Sequence, residues 1–263
     1  MTTMDASTLR IRDTALRVAR AGRGQPLLFL HGPGGLAESQ AWLPALAEHY
    51  DCHAPEHPGY GGGAVPAWLD NVRDLANFYL DYLDQQKLRG VHLVGYDLGG
   101  WIAAELAVRN SHALASLTLV SAQGIHVPDV PTTDVFLRTD DDLVRDTYHD
   151  PAQAARVLEH APTEEELDVA VRNKEITARL TWQPRGHDPD LAKWLHRIAV
   201  PTLVVWGAND RILPAEYGRA WRDRIARATL AEMGDCGHAP HLERTAETVA
   251  ALTRFTASTG SPA

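Results

Sequence analysis

Two cysteines, Cys52 and Cys236, are all that 263 residues contain, so a disulfide framework is excluded and both thiols are expected to be free. No uninterrupted apolar run approaches the roughly 18 to 20 residues that a membrane-spanning helix needs. The opening 24 residues are polar and charged, with no basic flank ahead of an apolar segment. A soluble, cytoplasmic chain without a membrane partner is the expectation. Basic stripes are missing as well. Lys and Arg number 25 against 34 Asp and Glu, and the formal charge of -9 is spread along the chain, which argues against a nucleic-acid partner. No Gly-rich dinucleotide fingerprint and no metal-ligand cluster occur. The pairs His238/His241 and His53/His57 have ligand-like spacing, but Pro240 and Pro58 interrupt the helix that such pairs need. No cofactor and no metal are therefore expected, and there are no internal repeats.

What is present is enough apolar material, 44% of residues, for one large core. Leu9, Ile11, Leu16 and Val18 alternate with polar neighbours around Arg12-Asp13, the pattern of an antiparallel hairpin with one wet face. Residues 26–30, 91–94, 117–120 and 202–206 are short, nearly continuous apolar runs, as parallel strands buried on both faces require. Helical stretches are expected at 40–49, 71–86, 101–110, 214–225 and 245–257, and strand alternating with helix implies a parallel sheet covered on both sides. The rhythm stops for roughly seventy residues before the run at 202–206. There Asp150-Pro151 reads as a helix cap with its first turn, and Thr163 with Glu166 as a capping box. Residues 125–196 are expected to form a helical cap or lid over the carboxyl ends of the strands, with 1–124 and 197–263 forming the core. The small, polar tail from Ser258 to Ala263 is expected to fray.

The chemistry concentrates at three places. Val94-Gly95-Tyr96-Asp97-Leu98-Gly99-Gly100 sets an aspartate in a Gly-x-Asp-x-Gly turn between an apolar run and an Ala-rich helical run. Gly207-Ala208-Asn209-Asp210 directly follows a buried strand, and Gly237-His238-Ala239-Pro240-His241 follows the strand-like stretch 228–231. Taken alone, Asp97 reads as a solvated turn residue, Asp210 as half of a surface ion pair with Arg211, and His238 as a core histidine. Their order along the chain favours catalysis. His31-Gly32-Pro33-Gly34-Gly35 and His57-Pro58-Gly59-Tyr60-Gly61 follow the first two parallel strands of the same pattern.

On these motifs the chain resembles the α/β-hydrolase fold superfamily from about Leu27 to Phe255. The resemblance implies an α/β fold: a mostly parallel central sheet, helices on both faces and a helical cap. It also implies the order nucleophile, acid, histidine, with an aspartate in place of the usual serine. At the elbow the chain is similar to epoxide hydrolases and dehalogenases. That implies Asp97 as covalent nucleophile, Asp210 and His238 activating water, and an oxyanion hole from Leu98, Pro33 and Gly34. Tyr148, Trp182 and His31 are the expected substrate contacts, with His149 or His187 as a second proton donor beside Tyr148. Pro33 has no N–H to lend, so Gly34 must replace it or Leu98 stands alone. Leu98 also stands where dehalogenases place a tryptophan, which lowers that reading. The stretches 98–105 and 177–184 look more like serine esterases and carbon–carbon bond hydrolases, so a scaffold whose serine was exchanged for aspartate, by nature or by an engineer, is the alternative. A noncatalytic small-molecule receptor is a third reading. The expected partner is a neutral organic substrate of small to medium size, and a homodimer stays open.

Overall fold

The protein, described here from a computed structural model, is defined over residues 4–259. Strands β1 (Asp5–Ile11) and β2 (Thr14–Ala21) form the expected hairpin, turning at Arg12-Asp13 with Ile11 opposite Thr14. Six further strands follow: β3 (Pro26–Leu30), β4 (Asp51–Pro55), β5 (Val91–Tyr96), β6 (Leu114–Val120), β7 (Thr202–Gly207) and β8 (Ala228–Met233). They lie side by side in the order β1-β2-β4-β3-β5-β6-β7-β8, and every pair from β4 to β8 is parallel.

The helices are α1 (Leu43–Ala47), α2 (Val72–Gln85), α3 (Leu98–Arg109), α4 (Asp140–Thr147), α5 (Pro151–Leu158), α6 (Glu164–Thr181), α7 (Leu191–Trp194), α8 (Ala215–Arg224), α9 (Pro240–Glu243) and α10 (Thr245–Thr259). Alternation along β3 shows how the layers form. Leu28 and Leu30 face one apolar cluster with Leu75 of α2, Ile102 of α3 and Trp221 of α8, whereas Leu27 and Phe29 face a second with Leu46 of α1 and Leu252 of α10. Each such side chain, removed fully from water, contributes about 1.5–3 kcal/mol.

Differences from expectation are local and have local causes. The helix expected over 40–49 is shortened to α1, because Pro44 tolerates only a first-turn position, and a separate 3-10 turn at Leu36–Ser39 precedes it. Between β6 and β7 the chain forms a helical insertion. Asp150 caps α5 by accepting from Ala152 N at 2.8 Å, and Thr163 and Glu166 form the capping box of α6. Helix α4 falls within the stretch expected to be helical, though no cap was singled out for it; Thr139 caps it and Asp140, Asp141 and Asp142 sit at its positive end. Ser258 and Thr259, expected to fray, belong to α10, and residues 260–263 lie outside the described residues. Cys52 and Cys236 are free and buried. Among the described residues no helix is long and apolar enough to cross a membrane.

Candidate active site

Strand β5 ends at Tyr96 and α3 begins at Leu98, so the chain must reverse at Asp97 alone. It does so with φ 50° and ψ -114°, a backbone state that costs a non-glycine residue about 1–3 kcal/mol. The surrounding glycines make the turn sterically feasible. A Cβ on Gly95 would strike the Gly99 carbonyl, and one on Gly99 would strike the Leu30 carbonyl of β3. The turn is secured by its own backbone: the Asp97 carbonyl accepts from Gly100 N at 3.0 Å, Trp101 N at 3.2 Å and Gln123 N at 3.2 Å.

Asp97 Oδ2 stands 2.9 Å from His238 Nε2, and His238 Nδ1 stands 2.8 Å from Asp210 Oδ2. Asp210 is itself fixed, since its Oδ1 accepts from Ile212 N at 2.8 Å and Leu213 N at 2.9 Å. All three side chains are nearly inaccessible. Burial alone would expel a proton from His238, but the charges and hydrogen bonds of Asp210 and Asp97 outweigh it and raise the imidazole to about 10. The resting ring is thus an imidazolium donating to a carboxylate on each side. Asp97 Oδ1 is buried and has no hydrogen-bond partner among the described residues. Behind the ring lies His241, kept neutral with a pKa lowered to about 3 by burial and by the charge on His238.

The loop after β3 passes directly over Asp97; a Cβ on Gly32 would lie 3.4 Å from the Asp97 Cβ. His31 supports this loop from below. Its Nδ1 donates to Gly32 O at 2.7 Å, its Nε2 accepts from His57 N at 2.8 Å, and its ring stacks on His57 with centroids 3.7 Å apart. Fully buried in these contacts, His31 is a loop support, not the substrate contact expected of it. Gly34 also departs from expectation. Its N–H, wanted for the oxyanion, donates to Glu38 Oε2 at 3.2 Å, and its carbonyl accepts from Asn173 Nδ2 of α6 at 2.9 Å. Pro33 lends no N–H. Leu98, first residue of α3, keeps an amide with no intrahelical acceptor.

The insertion meets the triad through Thr147, whose carbonyl accepts from His238 N at 2.7 Å. The next residue, Tyr148, lies near Glu38 and Glu243; burial and these two carboxylates push its hydroxyl up to about 12. Trp182 is not brought to the site. It is half-exposed, 4.2 Å beneath the Arg185 guanidinium and 5.2 Å from the Phe136 ring. His149 turns toward Asp235 at 3.8 Å, and His187 toward the Arg185 carbonyl at 3.0 Å, so neither joins Tyr148.

Glu38 was not anticipated from sequence. Exposed as a residue, it nevertheless folds its carboxyl back against the Gly34 amide. Where the carboxyl turns in against the loop, loss of solvation and then the charge of Asp97 shift it upward, opposed by His238 and by the Gly34 hydrogen bond, while the rest of the residue stays in water. The only signal in the sequence was its position four residues after Gly34, which becomes meaningful once the loop is seen to turn.

Residues 27–252 match the sequence profile of the alpha/beta hydrolase family. Among characterised relatives, a 2-hydroxymuconate semialdehyde hydrolase from Pseudomonas sp. (strain CF600) is 27% identical over 248 residues, 86% of this chain and 84% of that protein. Lipase 1 of Psychrobacter immobilis is 25% identical over 240 residues, 86% of this chain and 74% of the relative. A solved 2-hydroxy-6-oxo-6-phenylhexa-2,4-dienoate hydrolase from Rhodococcus sp. strain RHA1 superposes with a TM-score of 0.79 at 20% identity, covering 97% of this chain and 99% of that one. At that identity the superposition speaks for the fold alone. With the parallel sheet, the turn at Asp97 and a profile match across most of its length, this chain belongs to the alpha/beta hydrolase family.

Proposed function

We propose that the protein hydrolyses its substrate through an ester on Asp97, with epoxides as the substrate class. The observation that carries this reading is the 2.9 Å contact of Asp97 Oδ2 with His238 Nε2, on a ring already held by Asp210. Serine at this turn would need a base to remove its proton; a carboxylate does not. Oδ2 is occupied by the ring, whereas Oδ1, desolvated and without a partner among the described residues, is free to attack. Attack on a strained ring carbon forms an alkyl ester and removes the negative charge from Asp97. That charge is one of two holding the proton on His238, so ester formation itself lowers the imidazole pKa and converts the ring to a base. His238 then draws a proton from water, which adds to the ester carbonyl carbon. Leu98 N–H is the donor for the resulting oxyanion. The insertion acts as the cap, with Tyr148 facing the opening ring.

The test is a single turnover in heavy-oxygen water followed by peptide mass analysis. Label in the Asp97 carboxylate and none in the first equivalent of diol is the expected result. Label in the diol with unmodified Asp97 would exclude the ester.

A second reading rests on the relatives, which include dienoate and semialdehyde hydrolases and lipases. There the chain is a serine-hydrolase scaffold carrying aspartate at position 97. Carboxylate attack on an ester would give a high-energy anhydride, so ester turnover would be poor. This reading expects Asp97→Ser to gain hydrolysis of activated esters, and a folded variant without that gain counts against it.

A further inference from the structure

We propose that the outer face of α6 pairs two copies of this chain, antiparallel, about a twofold axis between Lys174 and Glu175. Helix α6 has two apolar faces, and only one is covered. Asn173, Ile176, Thr177 and Leu180 point inward, where Asn173 holds the loop at Gly34 and Thr177 meets Tyr60. On the opposite face Leu167, Val171 and the C-capping Trp182 remain 50, 56 and 51% exposed, three of only seven large apolar side chains left so open among the described residues. Leu137, 79% exposed, extends this surface, since its neighbour Phe136 touches Trp182 with ring centroids 5.2 Å apart. Apolar side chains gathered in this way on a surface mark a contact site.

The spacing identifies the partner as another helix. Steps of four, three, four and four residues, from Leu167 through Val171, Lys174 and Ala178 to Trp182, keep all five side chains in one seam along a helix about 27 Å long. Seams of that spacing interlock helix against helix, and Ala178 leaves room for close approach. The order of the side chains identifies that helix as a second α6. Running antiparallel about the proposed axis, Leu167 meets Trp182, the bulky Val171 meets the small Ala178, and Lys174 meets Glu175. Each pair occurs twice, as a twofold contact requires. Glu164 of each copy then approaches the Arg185 guanidinium that lies 4.2 Å over Trp182 of the other. Lys174 is already bonded to Asp140 of α4, an exposed pair that leaves two ammonium protons for Glu175. A lipid surface would instead strip water from Lys174 and Glu175 without pairing them. One helix pair is small for an interface, so the dimer is reversible and depends on concentration.

Analytical ultracentrifugation of the full chain over a concentration series is expected to show a monomer–dimer equilibrium in the micromolar range. Val171→Glu, which sets a carboxylate against Ala178, is expected to weaken it on the order of a hundredfold. Lys174→Glu and Glu175→Lys each place like charges opposite one another across the axis, and each is expected to weaken it about tenfold. Combining the two reversals is expected to restore the parental affinity. All three positions are exposed, so circular dichroism and melting temperature should stay parental in every variant. A parent that remains monomeric at about 1 mM would overturn the proposal, and sedimentation of that monomer with phosphatidylcholine vesicles would give the face to lipid instead. A dimer unmoved by Val171→Glu would overturn it as well, as would a double reversal that binds no tighter than the single ones.

Discussion

His238 holds a proton between two carboxylates, and the arrangement has measurable consequences at the scale of one residue. Its pKa lies near 10 in the folded chain against about 6.5 when exposed. A raised basic pKa contributes stability that is fully present below the unfolded value and lost as pH rises through the folded one. Thermal stability is therefore expected to decline between about pH 6.5 and 10, and less steeply in Asp97→Asn, which keeps Asp210 but removes the second charge. Melting curves across that range check the sign. The same variant is expected to lose on the order of a thousandfold or more in turnover, since an amide is a poor nucleophile. Asp97, Asp210 and His238 were legible because each sits in a short motif next to a strand end. The contact of Glu38 with the Gly34 amide was not legible, because it depends on a loop reversal that no local pattern announces.

At the scale of elements, α6 and the loop after β3 are joined through one side chain. Asn173 accepts from Gly61 N at 3.0 Å and donates to Gly34 O at 2.9 Å, while Tyr60 OH meets Thr177 Oγ1 at 2.8 Å. Asn173→Ala would leave the Gly61 N–H and the Gly34 carbonyl without their side-chain partner in a part-buried setting, at about 1 kcal/mol per lost hydrogen bond. Denaturant melts should show that loss, together with a drop in activity, because the freed Gly34 carbonyl no longer holds the loop. By contrast, Thr163→Ala at the wet start of α6 should cost only about 1 kcal/mol and leave turnover unchanged. The capping residues of α5 and α6 could be read from sequence because caps are local. The break before α1 follows from Pro44 and was available to the same reasoning. Strand β4, with only Cys52 and Ala54 as apolar members besides its terminal proline, is a strand chiefly because β2 and β3 flank it.

Across the whole molecule, the insertion is tied to the core by a few buried carboxylates. Glu243 accepts from Asp150 N at 2.7 Å with one oxygen and from Gly237 N at 2.6 Å with the other, joining the start of α5 to the residue preceding His238. Arg73 of α2 grips Asp188 with two hydrogen bonds, at 2.6 and 2.7 Å. Glu243→Gln is expected to weaken the first junction, seen as faster amide exchange in both α5 and the loop at Gly237, with the strands unaffected. The alternation of strand and helix and the interruption between β6 and β7 were visible in the residue pattern. Which side chains pin the insertion down was not, since the partners are up to 139 positions apart. The doubly flanked imidazolium has one more implication. Because its proton depends on the charge of Asp97, the ring is a built-in gauge of occupancy. Nitrogen resonances of His238 should switch between charged and neutral forms as the adduct appears and decays, so progress through the cycle can be timed from the enzyme alone, without an optical substrate.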